Sequence, residues 1–348
     1  MIPARGLGGS RRDQVPGMSA TPQAGDIADM PVQAPWLAEP RALLAAAADQ
    51  DRVAHALLLQ DAPGAGGGLL ARWLARRLLC TGSGPRPCGS CGACRAVTGG
   101  RHPDFLLLQP PEDSQQIRIE QLRELSTELA LASHQGGYKV AIIEPAEAMN
   151  RFAANALLKT LEEPPSRTVL MLVTQQPSRL PATVLSRCQR VRIRVPARAE
   201  ALAWLARTLG TGEWEAVLEV VGNAPLLAAT LEPRQVAQLR SEVRAGLVEV
   251  MAGRGDAAAL AERWARSELP LRLNCFENWL TERIRERLTG GTYSMEMRGG
   301  TRPATIDPVS NAGALFELLD RLRAFKAAAT TPINRTLGLE SLLRSLRA

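Results

Sequence analysis

The chain has 348 residues, 45% of them apolar and 22% charged, which is enough for two or three globular domains. No run of about 18 apolar residues occurs and the N-terminus lacks the apolar stretch of a secretory leader, so the composition excludes a membrane span and points to a cytoplasmic protein with no membrane partner. The net charge of +7 suits a nucleic-acid partner, but it also suits arginines scattered over solvated faces, because every cationic residue except Lys139, Lys159 and Lys326 is arginine and no dense basic block is present.

Residues 1–30 are rich in Gly, Pro, Ala, Arg and Asp with no apolar period, and are expected to be disordered; Met18 and Met30 are alternative starts. Residues 31–195 alternate short apolar runs with helical patterns, the signature of a parallel α/β sheet covered on both faces. The predicted strands are Ala56–Gln60, Phe105–Leu108, Lys139–Ile143, Val169–Thr174 and Arg190–Val195. Between them, Leu122, Leu125 and Leu129 share one helical face. Leu157, Leu158 and Leu161 do the same in a helix over Arg151–Glu162 that stops before Pro164 and Pro165. After Pro196 every segment reads as helix. Stripes are predicted at Leu202, Leu205 and Leu209, at Phe276, Trp279, Leu280 and Ile284, and at Leu339, Leu342, Leu343 and Leu346. The glycine-rich stretch from Gly290 to Pro303 is expected to be a flexible loop.

The first predicted strand leads into the turn Asp61-Ala62-Pro63-Gly64-Ala65-Gly66-Gly67-Gly68 and then a helix from Leu69 to Leu79. Strand, glycine turn and helix are the setting of a phosphate-binding loop. The chemistry of that loop is missing. Asp61 stands at the first glycine, Gly67 where the lysine that neutralises phosphate charge belongs, and Gly68 where the Mg²⁺-binding hydroxyl belongs. An acidic Asp61 disfavours phosphate further.

Cys80, Cys88, Cys91 and Cys94 follow that helix, with Gly82, Gly84, Gly89 and Gly92 among them. Four soft sulfurs at this spacing fit tetrahedral Zn²⁺ with no ligand position left for water, hence a structural knuckle. An iron–sulfur cluster would use the same sulfurs and add visible absorbance, and free thiols are the third reading. Cys188 and Cys275 stand alone and read as small buried side chains. His55, His102 and His134 have neither ligand spacing nor a paired nucleophile.

Two later motifs complete the pattern. One is Asn155-Ala156-Leu157-Leu158-Lys159-Thr160-Leu161-Glu162-Glu163-Pro164-Pro165, and the other is Ser186-Arg187-Cys188. Together with the lysine-free loop and the cysteine knuckle, in this order, they resemble the bacterial DNA polymerase III clamp-loader family, and its delta-prime subunits in particular. The resemblance spans roughly residues 35–348. It is strongest from His55 to Cys188 and weak in the last third, where Thr331-Pro332-Ile333-Asn334-Arg335 is the best local match.

The resemblance implies an AAA+ fold. Its α/β domain (31–195) would carry a zinc-binding insertion (80–94), followed by a small helical lid (196–240) and an all-α collar that joins subunits (241–348). It implies a subunit without ATPase activity or bound ATP, held in a ring with gamma or tau ATPase subunits and a delta subunit. Such a ring loads a sliding clamp onto primed DNA. Two departures agree with this: Ile143-Glu144-Pro145 lacks the Asp-Glu pair of a catalytic member, and Gly222-Asn223-Ala224-Pro225 has Pro225 where a phosphate-sensing arginine belongs. Arg187 matches an arginine that reaches a neighbour's ATP, where a guanidinium stabilises charge developing on the γ-phosphoryl oxygens; an ordinary surface arginine is the other reading. Lys159 reads as a solvated helix-end charge or a contact to DNA or a neighbour. Two functions of other classes stand beside this one: an autonomous clamp-loader ATPase, and a zinc-dependent DNA-binding protein that reads through residues 80–94.

Overall fold

The computed structural model describes residues 34–111, 114–288, 312–329 and 333–347. The expected disorder of residues 1–30 and the loop Gly290–Pro303 lie outside these, as do Thr331 and Pro332. A 3₁₀ turn at Pro35–Leu37 precedes α1 (Ala38–Asp49) and β1 (Ala56–Gln60). Then come α2 (Gly67–Leu79), α3 (Gly92–Thr98), β2 (Phe105–Leu108), α4 (Ile119–Ala130), β3 (Lys139–Ile143) and α5 (Arg151–Glu162). The α/β part closes with β4 (Thr168–Thr174), α6 (Ala182–Leu185) and β5 (Gln189–Arg192).

The five strands are parallel in the order β2-β3-β4-β1-β5. Period-two alternation divides their side chains between two layers. Leu57, Leu59, Val140, Ile142, Met171 and Val173 pack with Leu70 and Leu74 of α2 on one face. Leu58, Ala141, Ile143, Leu170 and Leu172 pack on the other with Leu122, Leu125 and Leu129 of α4 and Leu157 and Leu161 of α5. Between their end residues the three central strands are wholly apolar, because both faces are covered.

The last strand is shorter than the apolar run suggests. It ends at Arg192, because its partner β1 ends at Gln60, opposite Arg192. Val195 beyond it is more than half exposed.

From Arg198 onward the described residues are helical: α7 (Arg198–Leu209), α8 (Trp214–Val220), α9 (Pro225–Ala228), α10 (Pro233–Met251), α11 (Ala257–Arg266), α12 (Leu269–Leu288), α13 (Ala312–Ala328) and α14 (Arg335–Arg344). In α7 the predicted leucine stripe is displaced. Ala201, Trp204 and Leu205 face inward, and Leu209 is exposed at the last turn before Gly210. Trp204 sets this rotation, since its indole meets Trp36 edge-on at 5.3 Å and 74°. The stripes at Phe276–Ile284 and Leu339–Leu346 are buried as expected. No described helix is long and apolar enough to cross a membrane.

Candidate functional site: a self-filled phosphate loop, a thiol cluster and an exposed arginine

The loop after β1 turns through Gly64 (φ +66°) and Gly66 (φ +107°), left-handed conformations that a side chain resists. The turn delivers the chain to the N-terminus of α2, where unpaired amides and the helix dipole attract an anion. Here the anion is the protein's own. Asp61 Oδ2 accepts a hydrogen bond from the Gly67 amide at 2.8 Å. Beside it, Glu144 leans over Gly68 and forms a 2.7 Å ion pair with Arg72, whose Nη1 also donates to the Gly68 carbonyl at 3.1 Å. A Cβ on Gly68 would lie 2.0 Å from Glu144 Oε1, and one on Gly67 would lie 2.8 Å from Asp61 Cγ.

Burial pushes the Asp61 carboxyl up to about 6; the Gly67 and Ala62 amides oppose that rise and the Glu144 charge adds to it. Asp61 Oδ1 has no hydrogen-bond partner among the described residues.

The helical segment after α8 closes over the loop. The Leu226 amide donates to the Gly64 carbonyl at 3.1 Å, and Ala224 sits so close that a Cβ on Gly64 would meet its own at 2.6 Å. Pro225 begins α9 between these two contacts. From the other side, the buried Trp36 indole donates to the Ala65 carbonyl at 2.7 Å. Loop, Glu144 and the segment Ala224–Leu226 thus form one packed unit, in which carboxylates and apolar side chains occupy the space beside the N-terminus of α2.

The four cysteines converge. Their Sγ atoms all lie within 4.8 Å of one another, and Cys80 and Cys91 are 3.9 Å apart. Sulfurs about 2.3 Å from a tetrahedral Zn²⁺ are about 3.8 Å from each other, so the cluster fits that ion. Cys80 ends α2, Cys91 caps α3 and Cys94 lies in its first turn. The Cys91 and Cys94 amides donate to Cys88 Sγ and Cys91 Sγ at 3.3 Å each. These donors favour the thiolate: the Cys94 amide holds the Cys91 thiol down at about 5, and the Cys91 amide lowers Cys88. Burial pushes Cys94 up to about 12, a proton that a bound cation would displace. No histidine joins the group among the described residues; the buried His102 accepts the Asp104 amide at Nδ1, 3.1 Å away.

Arg187 lies between α6 and β5, just ahead of the Gln189–Leu57 pairing, whereas the glycine loop follows Gln60 at the other end of β1. At about 3.3 Å per residue, the five residues of β1 put roughly 16 Å of strand between them. The guanidinium is about one-third exposed and pairs with Glu162 at 2.7 Å, so the two sequence motifs meet through their charged members. Lys159 and Glu163 are exposed, and Cys188 and Cys275 are buried with thiols pushed up to about 11. Sequence reasoning missed the Glu144–Arg72 clamp, the Trp36–Ala65 bond and the Glu162–Arg187 pair. The spacing of Glu144 after β3 was visible, but nothing local reveals that it turns toward Gly68.

The strand order, the glycine turn leading into α2 and the helices that follow the sheet define an AAA+ module with an appended thiol cluster. The comparisons are more specific. A family model described as "DNA polymerase III, delta subunit" matches residues 38–197. DNA polymerase III subunit delta' of Pseudomonas aeruginosa is 41% identical over 244 residues, covering 68% of this chain and 73% of the relative. Its counterpart in Escherichia coli (strain K12) is 34% identical, covering 73% of this chain and 75% of that one. DNA polymerase III subunit tau of the same Escherichia coli strain is 38% identical over 138 residues, covering 39% of this chain and 21% of the relative. The chain belongs to the DNA polymerase III subunit delta' family.

Proposed function

We propose that the chain is a non-hydrolysing member of the DNA polymerase III clamp loader, and that it lends Arg187 to ATP bound by a neighbouring subunit. The observation that carries this reading is the loop filled by Asp61 and Glu144 and covered by Ala224 and Leu226, with Arg187 exposed at the opposite end of the sheet. A nucleotide would have to displace two carboxylates and the lid segment, and would find no lysine. Arg187, by its distance from that loop, can serve only a phosphate brought by another chain. A planar guanidinium offers paired donors to the γ-phosphoryl oxygens, which an ammonium does not.

The likeness to a tau subunit over 138 residues supports gamma or tau ATPase subunits as the neighbours, with delta completing the ring and the sliding clamp and primed DNA as its substrates. Residues 196–240 would then be the lid and 241–348 the collar that joins subunits. The thiol cluster would hold a structural Zn²⁺ through Cys80, Cys88, Cys91 and Cys94; the ion ties the end of α2 to the start of α3 and takes no part in the chemistry.

Reconstitution of the loader with Arg187→Ala tests the proposal. DNA-stimulated ATP hydrolysis and clamp loading are expected to fall by orders of magnitude at the affected site, in line with the roughly 10³–10⁵ that fingers contribute in other nucleotidases. Unchanged rates would reject it. Tight binding of MgATP to the isolated chain by calorimetry would reject the non-hydrolysing assignment.

A further inference from the structure

Arg187 is held at several points. Its Nη1 donates to the Thr183 carbonyl at 2.9 Å and to Ser186 Oγ at 3.4 Å, and its Nη2 meets Glu162 Oε1 at 2.7 Å. Among the described residues this leaves Nε–H and one Nη2–H without an acceptor, which are the donors a phosphoryl oxygen would need. Glu162 is the last residue of α5, where a carboxylate faces the negative end of the helix dipole, and Glu163 follows at the cap. An anion there is unfavourable unless a cation meets it, and Glu162 is the one that reaches a guanidinium. The pair is about half exposed on the Glu162 side, so it contributes little to the stability of the fold.

We infer that Glu162 is a positioning residue for Arg187: it fixes the guanidinium before the neighbouring subunit docks, so that an otherwise mobile side chain arrives with its free donors already aimed. This inference rests on the trans role of Arg187. A free arginine has rotamer entropy to lose on engagement, and Glu162, with the Thr183 carbonyl, removes much of that loss in advance. A carboxylate also leaves the guanidinium charged and its remaining donors unobstructed.

The test is the reconstituted full complex carrying Arg187→Ala, Glu162→Gln, Glu162→Asp or Glu162→Gln with Arg187→Ala, with kcat and KM for ATP measured beside ring assembly and the melting temperature of the free chain. Glu162→Gln is expected to lower kcat by about ten- to a hundredfold, the upper figure being the cost of misplacing a catalytic group by about 1 Å. KM, assembly and melting temperature should stay as in the parent, Glu162→Asp should recover most of the rate, and the double variant should be no slower than Arg187→Ala. The inference is overturned if Glu162→Gln matches or exceeds the parent rate while Arg187→Ala is slow, or if the two losses multiply in the double variant. An Arg187→Ala complex at the parent rate would instead sink the trans reading itself.

Discussion

Asp61 and Gly67 join the two ends of the glycine turn, carboxylate to amide at 2.8 Å, at the point where a nucleotide-binding relative would seat a phosphate. The protein thereby satisfies its own helix N-terminus with a buried acid whose other oxygen has no partner among the described residues. That arrangement has a cost that depends on pH. The Asp61 carboxyl is raised from 3.8 to about 6, so the folded chain holds this proton more tightly than the unfolded one. Stability from this group is therefore present below about pH 4 and is lost as pH rises through 6. The penalty at neutral pH is of order 2–3 kcal/mol. Asp61→Asn keeps an acceptor for the Gly67 amide and cannot ionise. The variant should match the parent near pH 3.5 and exceed it by about 1–3 kcal/mol at pH 7.5 in urea unfolding. A stability difference independent of pH would show that Asp61 is not the titrating group.

Restoring the missing loop residues should not restore nucleotide binding. In Gly67→Lys with Gly68→Thr, each new Cβ collides with an acid, Asp61 at 2.8 Å and Glu144 at 2.0 Å. Overpacking of this kind typically costs about 1–3 kcal/mol. The double variant is expected to melt at lower temperature and to give no MgATP heat in calorimetry. Micromolar binding would mean that the carboxylates and the lid segment yield easily.

Trp36 ties the chain before α1 both to the loop and to the helical region, by its bond to Ala65 and its contact with Trp204. Trp36→Phe keeps much of the aromatic volume but leaves a buried carbonyl unpaired, a loss of about 1–3 kcal/mol. Hydrogen exchange should show the gain in mobility at residues 62–66 as well as globally. Loss confined to the termini would argue against this linkage.

The thiol cluster makes a compositional prediction. Purified chain should carry about one zinc per molecule, and Cys91→Ser, which removes a thiolate ligand while leaving a hydroxyl able to cap α3, should lose most of it. Amide protection across Gly92–Thr98 should fall with the metal. Full protection of that helix in the metal-free variant would show that the fold does not depend on the ion. A visible charge-transfer band would favour iron–sulfur chemistry instead.

Much of this was legible from residue order. Strands β1, β2 and β3 and helix α5 follow the predicted bounds because each is a continuous apolar run or a clean helical stripe closed by turn residues. The cysteines were legible because their ligand spacing is local. Legibility failed where partners are distant in sequence. Trp204 rotates α7 because Trp36, far upstream, offers a ring. β5 stops at Arg192 because β1 stops at Gln60. Glu144 reaches Arg72, and Arg187 reaches Glu162, across loops whose paths the sequence does not state.

The Leu226 amide on the Gly64 carbonyl closes the lid with atoms of the same polypeptide. A clasp made of tethered parts closes at an effective concentration set by the chain itself and not by any pool in solution. On the non-hydrolysing role proposed above, the packing of residues 224–226 on the loop would hold one angle whatever the nucleotide level, and the face turned to neighbouring subunits would keep its shape.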